Sequence, residues 1–356
     1  RVAVLDFNNT TKDPAMEWLG PAVAETVTTK LNAVRSLQLV ERMQLYKVLD
    51  EQKFNLSDLV DPSHAIKVGK LLGAEQVVLG SFTSFGGTVR FTARFVDSTT
   101  GAILSTSQAN GILDPKNPNG LWAAFDQLAQ ATLDSLNTRV AIVQGMPQPL
   151  PVEPGKRIEP TPDEKTRLAK APTSSLEAQE AYGRGLVAYR KHQWPEGAKE
   201  FERATALDPD YAKAWRWLAV ALSNLGRWPE SVAAAERAYN IYARLGDEAG
   251  QAVVVGNLGV VLEAQGRYAE AFAYYDRTLK IAEKLNNEPL QATTFNAMGV
   301  VRQRQGRSAD ALSYHARSLA LAEKVNDAPG QAAALNNIGS IHRKSGRYGE
   351  ALSSFE

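Results

Sequence analysis

The sequence predicts a multidomain protein in which an α+β amino-terminal domain, a mixed sheet with helices, precedes an all-α solenoid. The segments that begin at Gln251, Gln291 and Gln331 repeat one another at a spacing of 40 residues. A fixed period of this length is typical of stacked helix pairs. The first part of the chain lacks this period and alternates short β-rich runs with amphipathic segments.

Strand and helix patterns alternate through residues 1–138. Val2 to Phe7 is an apolar, β-rich run that leads into a polar loop. Asp61 suits the N-cap of a helix that begins at Pro62 and ends at Gly73. Periodicity predicts further helices at 15–34, 41–52 and 121–136, and strands at 37–40, 76–84, 88–97 and 102–111. The order β-α-β-α-α-β-β-β-α predicts a mixed sheet covered by helices.

Four short motifs in this part carry a resemblance to a known family. They are Val2 to Phe7, Leu39-Val40-Glu41-Arg42, Leu72-Gly73-Ala74 with Val77 to Ser81, and Val96-Asp97 with Thr100-Gly101. Over residues 1–112 the sequence resembles the small sheet domain shared by the TolB amino-terminal domain and the CsgG-like family of curli secretion channels. The resemblance implies a protein-interaction module, commonly at the bacterial envelope. The long membrane-inserting hairpins of the secretion channel have no counterpart here.

The same resemblance bears on location. It implies a periplasmic or outer-membrane-associated protein, and a lipobox cysteine upstream of Arg1 would favour an envelope lipoprotein. A similar domain accompanies repeat arrays in cytoplasmic signalling proteins, so a cytoplasmic location stays open. The chain begins on Arg1 and stops at Phe355-Glu356 in mid-helix, so both ends look cut.

Residues 139–173 are expected to form a linker. They contain seven of the 17 prolines, mixed charges and few apolar side chains after Val143, which is typical of a semi-extended polyproline spacer. Ser174 and Glu177 have the spacing of a capping box and indicate where the first helix of the array begins. The expected domains are therefore 1–138, the linker, and an array over 174–356.

Each unit of the array is predicted to be two amphipathic helices broken at a glycine. The array resembles the tetratricopeptide repeat (TPR) superfamily, with a first unit of 34 residues at 178–211 and a 40-residue variant thereafter. Gly259, Gly299 and Gly339 recur at one position and permit close helix approach, while His315 stands where other units have Tyr275 and Phe355. The array holds about five units, and the truncated last one would leave an apolar face that could pair with another copy.

The TPR resemblance implies that a ligand lies along the concave face, which the first helix of each unit lines. Basic residues outnumber acidic ones six to one at these positions, with Arg190 and Arg216 among them. Amide side chains can pair with a peptide backbone and cations with carboxylates, so the lining suits an acidic or carboxylate-ended peptide. The alternative is an ordinary solvated helix surface. The candidate peptide-binding residues are Asn257, Asn296, Arg304, Asn336, Asn337, Arg343 and Lys344.

Composition and the motifs present disfavour several other classes of function, among them nucleic-acid binding, membrane binding and catalysis. The chain has 356 residues, is 44% hydrophobic and carries a formal charge of +1, which disfavours a nucleic acid or an anionic membrane as partner. It has no cysteine and no apolar run of about 18 residues, so no transmembrane segment is predicted. Neither a GxxxxGK[ST] loop nor a GxSxG elbow occurs, and His315 and His342 lack a third ligand. We therefore expect no catalytic residue, no metal and no cofactor.

These patterns together predict a non-enzymatic bacterial adaptor or scaffold, in which a TolB/CsgG-like domain is tethered to a TPR solenoid that binds protein segments. The alternative is the regulatory or sensor portion of a larger signalling or enzymatic polypeptide whose effector domain lies outside these residues. A cyclase, protease or DNA-binding domain beyond either end would favour the alternative.

Overall fold

The computed structural model describes residues 1–34, 36–52, 62–143, 146–153 and 156–355. Contacts divide the chain into two compact units, Arg1–Pro209 and Asp210–Glu356. Each unit is described by itself. The first contains the sheet, and the second consists of paired helices, so the predicted fold class is confirmed.

A mixed sheet forms the centre of the first unit. Strands β1 and β2 each pair in parallel with β3, while β4 pairs antiparallel with both β3 and β5. The order across the sheet is β1-β3-β4-β5, with β2 beside the far half of β3. The strands are β1 (Val2–Val4), β2 (Asn8–Asn9), β3 (Gln76–Phe85), β4 (Thr88–Asp97) and β5 (Ile103–Ile112).

Helices cover both faces of this sheet. Helices α1 (Leu19–Leu31) and α4 (Asn119–Leu136) bury one face, where Phe91 and Phe125 lie edge to face with ring centroids 5.8 Å apart. Helices α2 (Arg42–Glu51) and α3 (Pro62–Leu72) cover β1 and the first half of β3 on the other face. Successive residues of a strand point to opposite faces, so apolar residues of the same strand pack into both hydrophobic cores.

Two predictions for this unit concern the segment at 37–40 and the ends of helix α3. The predicted strand at 37–40 reduces to a single parallel bridge between Val2 and Leu39, because the chain enters α2 at Arg42 before a second pair can form. The prediction that Asp61 caps α3 falls outside the described residues. Gly73 does end α3 with a φ of +59°, which only a residue without a Cβ adopts without strain.

The proline-rich segment contains regular structure and differs from the expected spacer. Strands β6 (Thr138–Val143) and β7 (Met146–Pro151) form an antiparallel hairpin, and α5 (Pro162–Leu168) begins with a capping box between Thr161 and Glu164. Prolines at alternate positions remove N–H groups from one edge of a strand only, so the other edge can still pair. Lys30 of α1 then donates to the backbone oxygens of Leu168 and Lys170, each at 2.8 Å.

The first helical hairpin of the repeat region belongs to this same compact unit. Helix α6 (Leu176–Arg190) starts at an N-cap formed by Ser175, one residue after the predicted Ser174, and α7 (Trp194–Leu207) follows. Helix α6 packs on α1, and a Cβ at Gly183 would lie 2.4 Å from the backbone oxygen of Trp18. The compact unit that contains the sheet therefore ends at Pro209, after this hairpin.

The second unit is a regular array of helix pairs. Its turn glycines 226, 266, 306 and 346 all have φ between 72° and 76°, which lets each first helix end in a left-handed residue. The helices are α8 (Ala212–Asn224), α9 (Trp228–Leu245), α10 (Glu248–Ala264), α11 (Tyr268–Lys284), α12 (Glu288–Arg304), α13 (Ser308–Lys324), α14 (Ala328–Lys344) and α15 (Tyr348–Phe355). None of the described helices combines the length and apolar character needed to cross a bilayer.

The recurrent glycines of the first helices lie against aromatic rings of the second helices. A Cβ at Gly259 would lie 2.5 Å from the Tyr275 ring, and a Cβ at Gly299 would lie 2.6 Å from the imidazole of His315. Gly339 has the same relation to Phe355. The three rings thus occupy equivalent positions, and each needs a glycine opposite it because no room remains for a side chain.

Candidate functional site

First helices of neighbouring units pack side by side, as α8 does with α10 and α12 does with α14, and so form a layer of helices. Residues four apart on a helix share a face, so each first helix contributes a short row to the surface of this layer. The inner face, as we call this surface, consists of Gly256, Val260 and Ala264 on α10, Asn296, Val300 and Arg304 on α12, and Asn336, Ser340 and Lys344 on α14.

A carboxamide pair and a buried histidine form the centre of the site. The Nδ2 atom of Asn337 donates to the Oδ1 atom of Asn296 at 3.0 Å, and the Nδ1 atom of His315 lies 2.8 Å from the same oxygen. Because that oxygen accepts from Asn337, the imidazole donates through Nδ1 as well. Burial lowers the pKa of His315 to about 4, so the ring is neutral near pH 7. These contacts fix the Asn296 side chain at the inner face.

Asn257 occupies the position of Asn337 two units earlier and lacks the equivalent partner. Its Nδ2 atom is buried and donates to no acceptor among the described residues. The residue one unit before Asn257 that corresponds to Asn296 is Arg216, which carries no acceptor on its side chain. A buried donor without an acceptor is unfavourable by about 1–3 kcal/mol.

Three cations lie at the carboxyl-terminal ends of α12 and α14. Arg304, Arg343 and Lys344 are exposed, and none pairs with an acidic group in the described part of the chain. Cations at the end of a helix also stabilise it through the helix dipole, by about 0.3–1 kcal/mol each. Asn336 is exposed about two turns before Lys344 on α14. All seven predicted residues thus lie on or next to one surface.

Two of the basic residues predicted for the concave face instead contact other side chains of the protein. Arg190 donates from Nη1 to the Oδ2 atom of Asp6 at 2.9 Å. Arg216 is only 6% exposed and stacks over the Trp217 ring, with its guanidinium carbon 5.2 Å from the ring centroid. The positive charge of the inner face is therefore concentrated on α12 and α14, and the expected six-to-one excess along the whole array was wrong in its distribution.

His315 is the residue that sequence reasoning did not assign to the site. His315 departs from the repeat pattern, since it stands where the neighbouring units have Tyr275 and Phe355. A polar side chain at a buried aromatic position is a signal that it has a polar partner nearby. Among the described residues, no three histidine, aspartate or glutamate side chains are grouped to hold a metal ion.

Family models match both parts of the chain. The tetratricopeptide repeat model matches residues 210–284 and 290–356, and the model for the curli production assembly/transport component CsgG matches residues 1–93. Both resemblances found in the sequence are therefore confirmed. No curated protein matches the chain in sequence.

Several solved structures are similar to about half of the chain. BtubC (BKLC) from P. vanneervenii is 19% identical over 49% of this chain and 76% of its own, with a TM-score of 0.44. Aspartyl phosphate phosphatase F from Bacillus subtilis is 20% identical over 50% and 49%, with a TM-score of 0.48. The quorum sensor NprR from B. thuringiensis is 18% identical over 50% and 51%, with a TM-score of 0.44. With the repeat geometry and the two family matches, residues 210–356 form a tetratricopeptide-repeat array, and the amino-terminal domain is CsgG-like over residues 1–93.

Proposed function

We propose that this protein is a non-enzymatic adaptor that binds an extended, acidic segment of a partner protein on the inner face. The observation that carries the proposal is the group of cations Arg304, Arg343 and Lys344, which pair with no acidic group of the described residues, on the same layer of helices as the fixed carboxamide of Asn296. Carboxamides can pair with both the N–H and the C=O of a peptide, whereas cations select carboxylates.

The spacing of the first helices suits an extended ligand. Packed helices lie about 8–10 Å apart, and an extended chain rises about 3.3 Å per residue. A segment that crosses the array therefore advances three residues for each first helix. Carboxylates at alternate positions, which share one side of an extended segment, can then meet the cations of α12 and α14, while Val260 and Val300 supply apolar contact.

Polar side chains that are already held in place by hydrogen bonds favour binding at this surface. Asn296 is held by two hydrogen bonds, so little side-chain freedom is lost when a ligand pairs with it. Val260 is 55% exposed, and covering it is favourable because apolar surface leaves water. A solvated helix surface would need neither the buried histidine nor the linked amides.

An envelope-associated assembly is the proposed setting, either periplasmic or at the outer membrane. The match of residues 1–93 to the CsgG model supports this setting. The first unit would hold the protein in the assembly, and the array would present the inner face to its partner.

A peptide titration tests the binding function. The probe is a fluorescein-labelled extended peptide with glutamate at every second residue, and the control peptide has glutamine at those positions. We expect the full chain to bind the glutamate peptide and the triple variant R304E/R343E/K344E to bind it at least about tenfold more weakly. The matched control R237E/K280E/R317E reverses three cations of the second helices and should bind as the unaltered chain does. Equal loss in both triple variants would contradict a site on the inner face.

A further inference from the structure

One part of the sheet in the first unit is not covered by any of the described helices. Helices α2 and α3 cover β1 and the first half of β3, while the opposite face lies under α1 and α4. The far halves of β3, β4 and β5 therefore present one open surface. Its cross-strand rows are Ser81–Thr92–Gln108, Thr83–Arg90–Asn110 and Phe85–Thr88–Ile112, with Arg94 and Thr106 next in line. We call this surface the open sheet face.

The charges of the open sheet face have one sign. Arg90 and Arg94 are its charged residues, and the other positions carry hydroxyl, amide or apolar groups. Arg90 reaches only the Oδ1 atom of Asn110, at 3.4 Å, and Arg94 pairs with no acidic side chain of the described residues. Two guanidinium groups are thus available for carboxylates from outside.

Apolar groups at the tip of the β3–β4 hairpin are unusually exposed. Phe85 is 88% exposed and Ile112 is 56% exposed, and both lie in the same cross-strand row. The turn between the strands, Gly86-Gly87, has positive φ at both residues and holds Phe85 at the end of a regular strand pair. An apolar side chain of a partner would remove this surface from water.

Covering this face would cost little conformational entropy. Surfaces kept for solubility usually mix lysine and glutamate, whereas Thr83, Thr88, Thr92 and Thr106 carry short, β-branched side chains. Branching at Cβ already restricts χ1, so threonine loses less freedom on binding than a long charged side chain. The composition is that of a surface to be covered.

We infer that the open sheet face docks an acidic, extended segment of a partner protein that runs along β4. Arg90 and Arg94 are four residues apart, or about 13 Å along the strand, which matches carboxylates four residues apart in an extended segment. The row of Phe85 lies two residues before Arg90 in register and takes an apolar side chain. The partner segment would carry an apolar residue followed by acidic residues two and six positions later, all on one side of the segment.

The register of this pattern provides the test. The probe is a labelled peptide with isoleucine at the first position, glutamate at the third and seventh, and threonine elsewhere, titrated against the full chain. A second peptide moves the later glutamate by one position, which turns it to the opposite side of an extended segment. We expect the second peptide to bind about fivefold more weakly, and the R90E/R94E variant to lose binding of the first by about as much or more.

Two further arms separate this surface from the inner face. The R304E/R343E/K344E variant should bind the first peptide as the unaltered chain does, and a lysine-containing version of the peptide should bind R90E/R94E better than it binds the unaltered chain. Equal binding of both registers, or loss in the inner-face variant instead, would overturn the inference. So would binding of a single-stranded oligonucleotide that R90E/R94E abolishes while the peptide does not bind.

Discussion

Arg190 donates a hydrogen bond from Nη1 to the Oδ2 atom of Asp6 at 2.9 Å and so joins the end of α6 to the residues that follow β1. The other oxygen of Asp6 accepts from Nη1 of Arg42 at 2.6 Å, and Nε of Arg42 donates to Glu25 at 3.2 Å. Two cations and two carboxylates thus form a buried, neutral group. Since Asp6 is 1% exposed at its side chain, loss of either arginine leaves a buried charge with less compensation.

We expect Arg190→Glu to detach the helical hairpin α6–α7 from the rest of the first unit. The variant places a third carboxylate beside Asp6, and like charges at this distance repel in a buried setting. Amide hydrogen exchange in α6 should become faster while exchange in β3 and β4 is unchanged. Lys199→Glu on the exposed surface of α7 is the control and should leave exchange in α6 as it is. Unchanged exchange in Arg190→Glu would contradict this role of the arginine.

His315 makes the stability of the array depend on pH. Burial lowers its pKa to about 4 in the folded chain from the ordinary value of 6.5, so the unfolded chain takes up the proton first as pH falls. Stability should therefore be full above about pH 6.5 and decline towards pH 4, by up to about 3 kcal/mol.

A comparison with His315→Phe isolates this effect, because Phe355 shows that the site accepts the ring. Urea unfolding of both proteins, followed by helical circular dichroism, should give curves whose difference changes between pH 6.5 and 4. Parallel pH profiles would rule out titration of His315 as the cause.

Gly299→Ala should destabilise the array although alanine is the better helix former. The new Cβ would lie 2.6 Å from the imidazole of His315, and such overpacking is unfavourable by about 1–3 kcal/mol. Gly256→Ala is the matched control, because its Cβ would meet nothing closer than 3.7 Å and should gain about 1 kcal/mol of helix propensity. Opposite shifts in the urea midpoint are expected. A shift of the same sign in both variants would show that the contact with the His315 ring does not determine the change in stability.

Lys30 fixes the end of the proline-rich segment on α1. Its Nζ atom donates to the backbone oxygens of Leu168 and Lys170 and pairs with Asp126 at 2.5 Å. Lys30→Met keeps the apolar stem and removes these contacts, so trypsin should cleave after Arg167 and Lys170 faster. Lys156→Met, at a position that is 74% exposed, should leave these cleavage rates unchanged. A segment that behaves as a free spacer would be cut at the same rate in every variant.

Local signals predicted much of this fold. The turn glycines and the repeated apolar positions place every helix from α8 to α14 within a few residues, because each unit has the same start and stop chemistry. Gly86-Gly87 likewise places the β3–β4 hairpin. These features depend on residues near one another in the chain.

Contacts between distant residues explain what the sequence did not predict. Asp6, Arg42 and Arg190 meet only after α2 has packed on the sheet and α6 has packed on α1. From its position in the repeat, Arg190 alone was predicted to face the concave surface. The proline-rich segment reads as a spacer because nothing local indicates that β6 pairs with β7 or that α5 docks on Lys30. In the candidate site, the position of each residue within its repeat predicted that the asparagines and cations share one surface. The hydrogen bond between Asn296 and Asn337 was not predicted, because it joins two different units.

A charge exchange at the inner face tests the central claim most directly. The R304E/R343E/K344E variant is titrated with the glutamate peptide and with a peptide that has lysine at the same positions. We expect the variant to lose the glutamate peptide and to bind the lysine peptide more tightly than the unaltered chain does, because the sign of the surface has been reversed. If the variant still binds the glutamate peptide with unchanged affinity, the inner face is not the binding surface.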